Sequence, residues 1–236
     1  MTPERYTKIS QVLSCRQPDL TVITDEVHKG RNLSAIVRTC DAVGVDRIHC
    51  VVPKAGFRAY HGTARGSHKW VEVQNYESIE QPILTLQGQG FQVLAAHPCG
   101  ASKDFREFDY TQPTAVLLGT EKQGVSEAAL RLVDGTVTIA MMGMVASFNV
   151  SVACAIILAE CQRQRQQVGL YNGPRLPADL YRQRLFQWAH PVLTKFCDEH
   201  GLAYPPLRED GEVLDAANWH REIRALGYSS PVGSEQ

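Results

Sequence analysis

The chain has 236 residues, of which 44% are hydrophobic and 21% charged, and its formal net charge is −1 at pH 7. These values are ordinary for a folded globular protein and exclude a disordered, fibrous or collagen-like chain. The longest apolar stretch, residues 150–159, is far shorter than the ~20 residues that a membrane span needs. Because the first twenty residues also lack the apolar core of a signal peptide, we expect a cytoplasmic protein with no membrane partner.

The seven cysteines are an odd number and form neither a C-x-x-C pair nor a Cys/His cluster at zinc spacing. We therefore expect reduced thiols, no disulfide framework and no bound metal.

The net charge conceals two basic segments. Residues 47–69 contain five Lys or Arg and no acid, and residues 162–195 contain six Lys or Arg against one Asp. Aromatic residues lie between these cations, a pattern that indicates contact with a phosphate backbone. A solvated basic surface is the alternative interpretation.

The predicted elements alternate between helices and strands. Helices are predicted at residues 3–16, from an Asn32 cap to Gly44, at 78–86 and at 149–166, and strands at 20–27, 48–52, 70–73, 91–96, 115–118 and 136–140. Several of these strands are almost continuously apolar. The pattern predicts an α/β fold with a mostly parallel sheet that is covered by helices on both faces.

Glycines and prolines interrupt this pattern after residue 166. We therefore predict an N-terminal helical extension over residues 1–19, an α/β domain over 20–166 and a C-terminal helical extension over 167–236. The main feature of the last part is an amphipathic helix at residues 179–199. It is too small for a core of its own, so we expect it to pack on the main domain or on a second subunit.

Loops that follow parallel strands usually carry the ligand site, and three such loops have unusual compositions. The loop 28–39 reads H-K-G-R-N-L-S-A-I-V-R-T and contains Asn32 and Arg38. The loop 117–125 reads L-L-G-T-E-K-Q-G-V, and its two glycines, with Glu121 between them, allow close approach of a ligand to the backbone.

A third loop, residues 139–153, contains Ser147, Asn149 and Ser151 at the start of a helix. Helix capping accounts for one of these polar residues but not for all three. Taken alone, each loop also has a structural interpretation; Arg38, for example, suits a position at the edge of an apolar helix face.

Together, the three loops resemble the three motifs of the SpoU branch of the SPOUT RNA ribose 2′-O-methyltransferases. The sequence departs from the pattern at Ala140, where proline is usual, and at Phe148, where leucine is usual. Further segments extend the resemblance to the members of the branch that act on tRNA. These segments are R-Y-T-K-I, R-Q-P-D-L-T-V, D-F-R-E-F-D-Y-T-Q-P and Q-R-Q-R-Q.

The resemblance implies an α/β domain with a C-terminal deep trefoil knot, a homodimer, and S-adenosylmethionine bound near the knot. The cofactor contacts fall on Ala96, Gly119, Ile139 and Phe148. The implied reaction transfers a methyl group to a ribose 2′-hydroxyl, that of guanosine 18 in the D-loop of tRNA. No metal is required.

The resemblance assigns the chemistry to Arg38, Asn32, Glu121, Ser147, Asn149 and Ser151. Because guanidinium is effectively always protonated, we interpret Arg38 as a phosphate clamp and charge stabiliser, with an RNA phosphate or a water accepting the proton. The other five residues shape the pocket and hold the ribose and Arg38. Phosphates of tRNA are expected to bind Arg163, Arg165, Arg5 and Arg16, with an affinity that falls steeply as salt rises.

Other interpretations stay open at this point. The same chemistry could act on a ribosomal RNA nucleotide, or the chain could bind RNA without catalysis, which the departures at Ala140 and Phe148 favour. A dinucleotide-dependent dehydrogenase is a further alternative, but the sequence lacks the G-x-G-x-x-G fingerprint.

Overall fold

A parallel sheet forms the centre of the structure, a computed structural model that describes residues 1–27, 29–52 and 69–229. The strands are β1 (Leu20–Thr24), β2 (Arg47–Val51), β3 (Glu72–Tyr76), β4 (Gln92–Ala96), β5 (Lys103–Asp104), β6 (Thr114–Leu118) and β7 (Gly135–Thr138). Their order in the sheet is β3-β2-β1-β6-β4-β7-β5, and all six pairings are parallel. The predicted parallel α/β fold is confirmed.

The helices are α1 (Pro3–Ser14), α2 (Gly30–Ala42), α3 (Glu80–Gly88), α4 (Glu127–Leu130), α5 (Val150–Gln167), α6 (Ala178–Ala189), α7 (Pro191–His200) and α8 (Ala216–Ala225), with a 3₁₀ turn at Phe105–Glu107. In the described part of the chain, no helix is both long and apolar enough to cross a membrane.

Apolar side chains cover both faces of the sheet, as nearly continuous hydrophobic strands require. Because successive residues of a strand point to opposite faces, Val22 and Val116 join one core cluster while Ile23 and Leu117 join another. The first cluster includes residues of α2 and α5, and the second includes residues of α3 and α4.

The chain divides into an α/β unit, residues 16–175, and a helical unit formed by residues 1–15 and 176–236. Residues 16–19 and 167–175, which the sequence analysis assigned to the extensions, lie in the α/β unit. Asp19 explains this difference, because its carboxylate accepts hydrogen bonds from Arg165 and Arg175 at 2.6 Å each. Burial favours a higher pKa for the Asp19 carboxyl, but the two arginines hold the pKa below its ordinary value.

The helical unit has apolar clusters of its own, so the expectation that the tail is too small for a core is wrong. Phe186, Leu193 and Val213 form one cluster, and Phe196 with Ile223 belongs to another. Large aromatic side chains bury much apolar area per residue, which allows a short segment to form a core.

Several helix boundaries also differ from the prediction, two of them with consequences for the helical unit and the first site loop. The helix predicted at residues 179–199 is interrupted at His190, because Pro191 disfavours helical backbone in the residue that precedes it. Helix α2 begins earlier than predicted, with Lys29 as its N-cap, so Asn32 lies inside the first turn and does not cap the helix.

Candidate active site

Four neighbouring strands, β1, β6, β4 and β7, bring the loops at their carboxyl ends to one edge of the sheet. The loop after β1 leads into α2 and carries Lys29, and the loop after β6 carries Glu121. Because β1 and β6 are parallel and directly paired, these two loops are adjacent even though they are far apart in sequence.

The Glu121 carboxylate is the centre of a hydrogen-bond network. Its Oε1 accepts from Asn32 Nδ2 and from Asn149 Nδ2, both at 2.7 Å. Its Oε2 accepts from Lys29 Nζ, which forms an ion pair with the carboxylate. One carboxylate therefore joins the loops after β1 and β6 to the start of α5.

The orientation of the Asn149 amide is fixed from both sides. Asn149 is the N-cap of α5, and its Oδ1 accepts from the backbone N–H of Ser151 at 2.9 Å and from Ser151 Oγ at 2.6 Å. The oxygen therefore faces the helix, and Nδ2 is directed at Glu121. Asn149 therefore both caps α5 and donates to Glu121. Ser151 holds it in this orientation, which accounts for a second polar residue beside the cap.

A cavity of about 360 Å³ lies beside this network. Its apolar wall includes Leu118, Val137, Val150, Ala153 and Ile157, and polar groups of residues 120–124 line another part. The four residues predicted to contact a cofactor all line it: Ala96, Gly119, Ile139 and Phe148.

Glycine at position 119 is required by a close approach of two backbone segments. A Cβ atom there would lie 2.1 Å from the carbonyl carbon and oxygen of Gly124. Two backbone hydrogen bonds between Thr120 and Gly124, at 2.9 and 3.0 Å, close the turn, and Gly124 has a φ of +70°. The two glycines of the second loop therefore form a tight turn on the wall of the cavity.

Two of the predicted catalytic residues lie outside the hydrogen-bonded network. Arg38 is exposed on α2 and forms no hydrogen bond or ion pair with the part of the chain that the structure describes. Ser147 is exposed and lines the cavity next to Phe148. The structure thus brings together Asn32, Glu121, Asn149 and Ser151, and leaves the Arg38 guanidinium available to a ligand.

Arg165, one of the arginines predicted to bind tRNA phosphates, is wholly buried. Its guanidinium donates to the backbone oxygens of Tyr110, Asp19 and Gln112, and to the side chains of Gln17 and Asp19. The prediction of a phosphate contact is wrong for this residue, because its donors are used inside the α/β unit.

Arg16 is likewise wholly buried, and it donates to the carbonyl of Val45 at 2.8 Å and to Asp41 at 2.6 Å. The prediction that it binds RNA is wrong for the same reason. Sequence alone offers no signal that separates such a buried arginine from a surface one.

The other predicted phosphate ligands, Arg5 and Arg163, are exposed. Arg163 donates to Glu160 at 2.6 and 2.8 Å, and its own side chain is 54% exposed whereas that of Glu160 is 10% exposed. Three basic residues of the 47–69 segment, Lys54, Arg58 and Arg65, lie outside the described residues.

Two lysines were overlooked in the sequence. Lys29 lies in the first loop, three residues before Asn32, and Lys122 lies in the second loop, directly after Glu121. The signal that could have identified Lys29 is the pairing of β1 with β6, which places its loop against that of Glu121.

All three loops lie in a segment of the chain that matches a known family. Residues 19–159 match the SpoU rRNA Methylase family, and residues 163–216 match the family described as SpoU, rRNA methylase, C-terminal. A tRNA (guanosine(18)-2′-O)-methyltransferase of Escherichia coli is 45% identical over 229 residues, which are 96% of this chain and 100% of that protein. A tRNA (guanosine(18)-2′-O)-methyltransferase of Thermus thermophilus is 52% identical over 187 residues, covering 79% of this chain and 96% of that protein.

Solved structures give the same result. The TrmH/SpoU tRNA modifying enzyme of A. aeolicus superposes with a TM-score of 0.74 at 41% identity, covering 80% of this chain and 96% of that one. The SpoU methyltransferase AviRb of Streptomyces viridochromogenes, in complex with the cofactor AdoMet, superposes with a TM-score of 0.57 at 25% identity, covering 65% of this chain and 62% of that one. This chain therefore belongs to the SpoU rRNA methylase family.

Proposed function

We propose that this chain is a tRNA methyltransferase that transfers a methyl group from S-adenosylmethionine to the ribose 2′-hydroxyl of guanosine 18. The observation that carries the proposal is the Glu121 network at the edge of the cavity, which joins all three family motifs. The names of relatives that are 45% and 52% identical over most of their length support the choice of reaction and of tRNA.

The cavity suits S-adenosylmethionine. Its volume of about 360 Å³ lies at the lower end of the range of about 300–1,000 Å³ for small-molecule sites. The apolar wall suits an adenosine group, and the tight Gly119–Gly124 turn exposes backbone groups to a ligand. Ala96, Gly119, Ile139 and Phe148 are the residues that would hold it. When bound, the cofactor supplies an electrophilic methyl group on a sulfonium sulfur.

The chain's own residues contribute position and charge. The Glu121 carboxylate holds the Asn32 and Asn149 amides in fixed orientations before any substrate binds. Such preorganisation would hold the ribose in one orientation toward the methyl group of the cofactor. Ser147 lines the same cavity and offers a hydroxyl to the ribose.

Arg38 provides the charge that the reaction needs. Its guanidinium is exposed and stays protonated, so it binds an RNA phosphate and stabilises negative charge that develops on the 2′-oxygen. An RNA phosphate or a water accepts the proton. Arg5 and Arg163 are the exposed arginines that we assign to further phosphates of tRNA.

A homodimer is part of the proposal. Large apolar side chains are exposed next to the cavity, among them Met142, Met144 and Val145, with exposures of 94%, 102% and 63%. Exposed apolar clusters of this kind mark interaction sites, and we assign this one to a second copy of the chain. Family membership also implies the trefoil knot. The knot, and the cytoplasmic location expected from the sequence, stay predictions.

Labelled S-adenosylmethionine tests the proposal with two tRNA transcripts. One transcript is unmodified and the other has a 2′-deoxy guanosine 18. Methyl transfer to the first and none to the second is the expected result. Equal transfer to both transcripts would contradict the assignment of the ribose oxygen. A parallel reaction contains ribosomal RNA, and transfer only to that RNA would contradict the assignment of tRNA.

A further inference from the structure

Besides the imidazole of His97, the titratable side chains that line the 360 Å³ cavity are those of Glu121 and Lys122, within the part of the chain that the structure describes. Both also line a smaller cleft beside it, together with Lys29 and Asn32. These two charges therefore stand where the cavity adjoins the catalytic network.

Glu121 already has partners for both of its oxygens. Its Oε1 accepts two amide N–H groups, and its Oε2 pairs with Lys29. Lys122 differs from Lys29 in this respect. It is exposed, and among the described residues it forms no hydrogen bond and no ion pair.

The charge of S-adenosylmethionine restricts what such a lysine can bind. The molecule carries a positive sulfonium, a positive ammonium and a single anion, the α-carboxylate. An ammonium on the cavity wall repels the first two groups and attracts only the third. The apolar residues of the wall, such as Leu118 and Ile157, offer a carboxylate no partner.

We propose that Lys122 binds the α-carboxylate of S-adenosylmethionine and so selects a cofactor with an intact amino-acid group. The inference rests on the proposed function, and it assigns Lys122 to recognition of the cofactor, not to the methyl transfer itself. Lys122 follows Glu121 directly, so this contact fixes the amino-acid end of the cofactor beside the catalytic network.

Isothermal titration calorimetry without tRNA tests the inference. The two ligands are S-adenosylmethionine and its decarboxylated analogue, which keeps both positive charges and lacks the carboxylate. For the unaltered protein we expect S-adenosylmethionine to bind about tenfold more tightly, the effect of one partly exposed charge-assisted hydrogen bond.

The variants Lys122→Met and Lys122→Gln are expected to bring this ratio of dissociation constants close to one, and Lys122→Arg to preserve most of it. Lys8→Met is the matched control, because it removes the same charge from an exposed lysine of α1 that does not line the cavity. It is expected to leave the ratio unchanged even if both affinities shift. Thermal unfolding of each variant verifies that the exposed substitution preserves the fold.

Other outcomes overturn the inference in distinguishable ways. An unchanged ratio in Lys122→Met, with weaker tRNA binding, would assign the lysine to an RNA phosphate. An unchanged ratio with unchanged tRNA binding would show that Lys122 binds neither anion. If the unaltered protein binds neither ligand, the proposed function fails along with the inference.

Discussion

Asn32 and Asn149 donate to the same oxygen of Glu121, each at 2.7 Å, although they are 117 residues apart in the chain. The Asn149 amide also lies 3.3 Å from Asn32 Oδ1. The Glu121 carboxylate lies between the two amides and accepts from both, so it determines the geometry of the site.

Removal of the Glu121 carboxylate is expected to lower methyl transfer by about 100-fold or more in Glu121→Ala, because three donors lose their acceptor. Glu121→Gln is expected to retain more activity, since its amide oxygen can still accept from both asparagines. Single-turnover rates with an unmodified tRNA transcript measure the effect.

Glu127→Gln is the control for the loss of an acidic group. Glu127 is 93% exposed and pairs weakly with Arg131 at 3.8 Å. Comparable losses in Glu127→Gln and Glu121→Ala would contradict a specific role for the network.

Replacement of Arg38 by alanine is expected to abolish methyl transfer and to leave the fold and most tRNA binding intact. The side chain is exposed and forms no hydrogen bond or ion pair with the part of the chain that the structure describes, so its loss is expected to leave the fold intact. Circular dichroism, tRNA affinity and turnover are measured on the same preparation. Turnover like that of the unaltered protein would remove Arg38 from the mechanism.

The two arginines on α5 are expected to behave oppositely. Arg165→Met leaves Asp19 with one arginine fewer and takes one donor from each of three backbone oxygens, at a cost of about 3–5 kcal/mol in the free energy of unfolding. Arg163→Met removes the exposed arginine of a pair in which the Glu160 side chain is 10% exposed and keeps a hydrogen bond from Gln164, so it is expected to change stability by about 1 kcal/mol.

Urea unfolding of both variants, with tRNA affinity at two salt concentrations, distinguishes these roles. Weaker tRNA binding and a smaller salt dependence are expected for Arg163→Met. Equal stability of the two variants would contradict the structural role of Arg165.

The parallel sheet and the site loops could be predicted from the sequence because local patterns encode them. Apolar strands such as Val93–Ala96 and the glycines that flank Glu121 leave a clear signal. The burial of Arg165 leaves no such signal, since it depends on Asp19, 146 residues away. The same holds for Lys29, whose partner is set by the pairing of β1 with β6.

The helical tail was mispredicted for a different reason. Its apolar residues are spread over three short helices and their connections, so no single window shows a strong pattern. Helix α8 in particular has five polar residues among its ten and a single buried residue, Ile223.

Gly119→Ala is expected to disrupt the cofactor cavity. The added Cβ would lie 2.1 Å from backbone atoms of Gly124, so the turn between the two glycines must open to accommodate the methyl group. We expect loss of S-adenosylmethionine binding by at least about tenfold in calorimetry. Gly88→Ala is the control, because nothing lies within 4 Å of its Cβ position and Gly88 does not line the cavity. Unaltered binding in Gly119→Ala would show that the turn does not shape the cofactor site.

A buried histidine is expected to make stability depend on pH. His49 is 5% exposed on β2, and its Nδ1 lies 2.9 Å from the Tyr76 hydroxyl. Burial, assisted by the charge of Arg47 and opposed by that of Glu72, lowers the pKa of His49 from 6.5 to about 4.

The unfolded chain therefore binds a proton below about pH 6.5 that the folded chain does not bind until about pH 4. Since stability falls with decreasing pH wherever the unfolded state binds more protons, the His49 contribution is lost across this window, by roughly 3 kcal/mol. His49→Gln is expected to flatten the urea-unfolding free energy between pH 6.5 and 4. The exposed His200 provides the control, since His200→Gln should keep the slope. A slope in His49→Gln equal to that of the unaltered protein would assign the acid sensitivity to other groups.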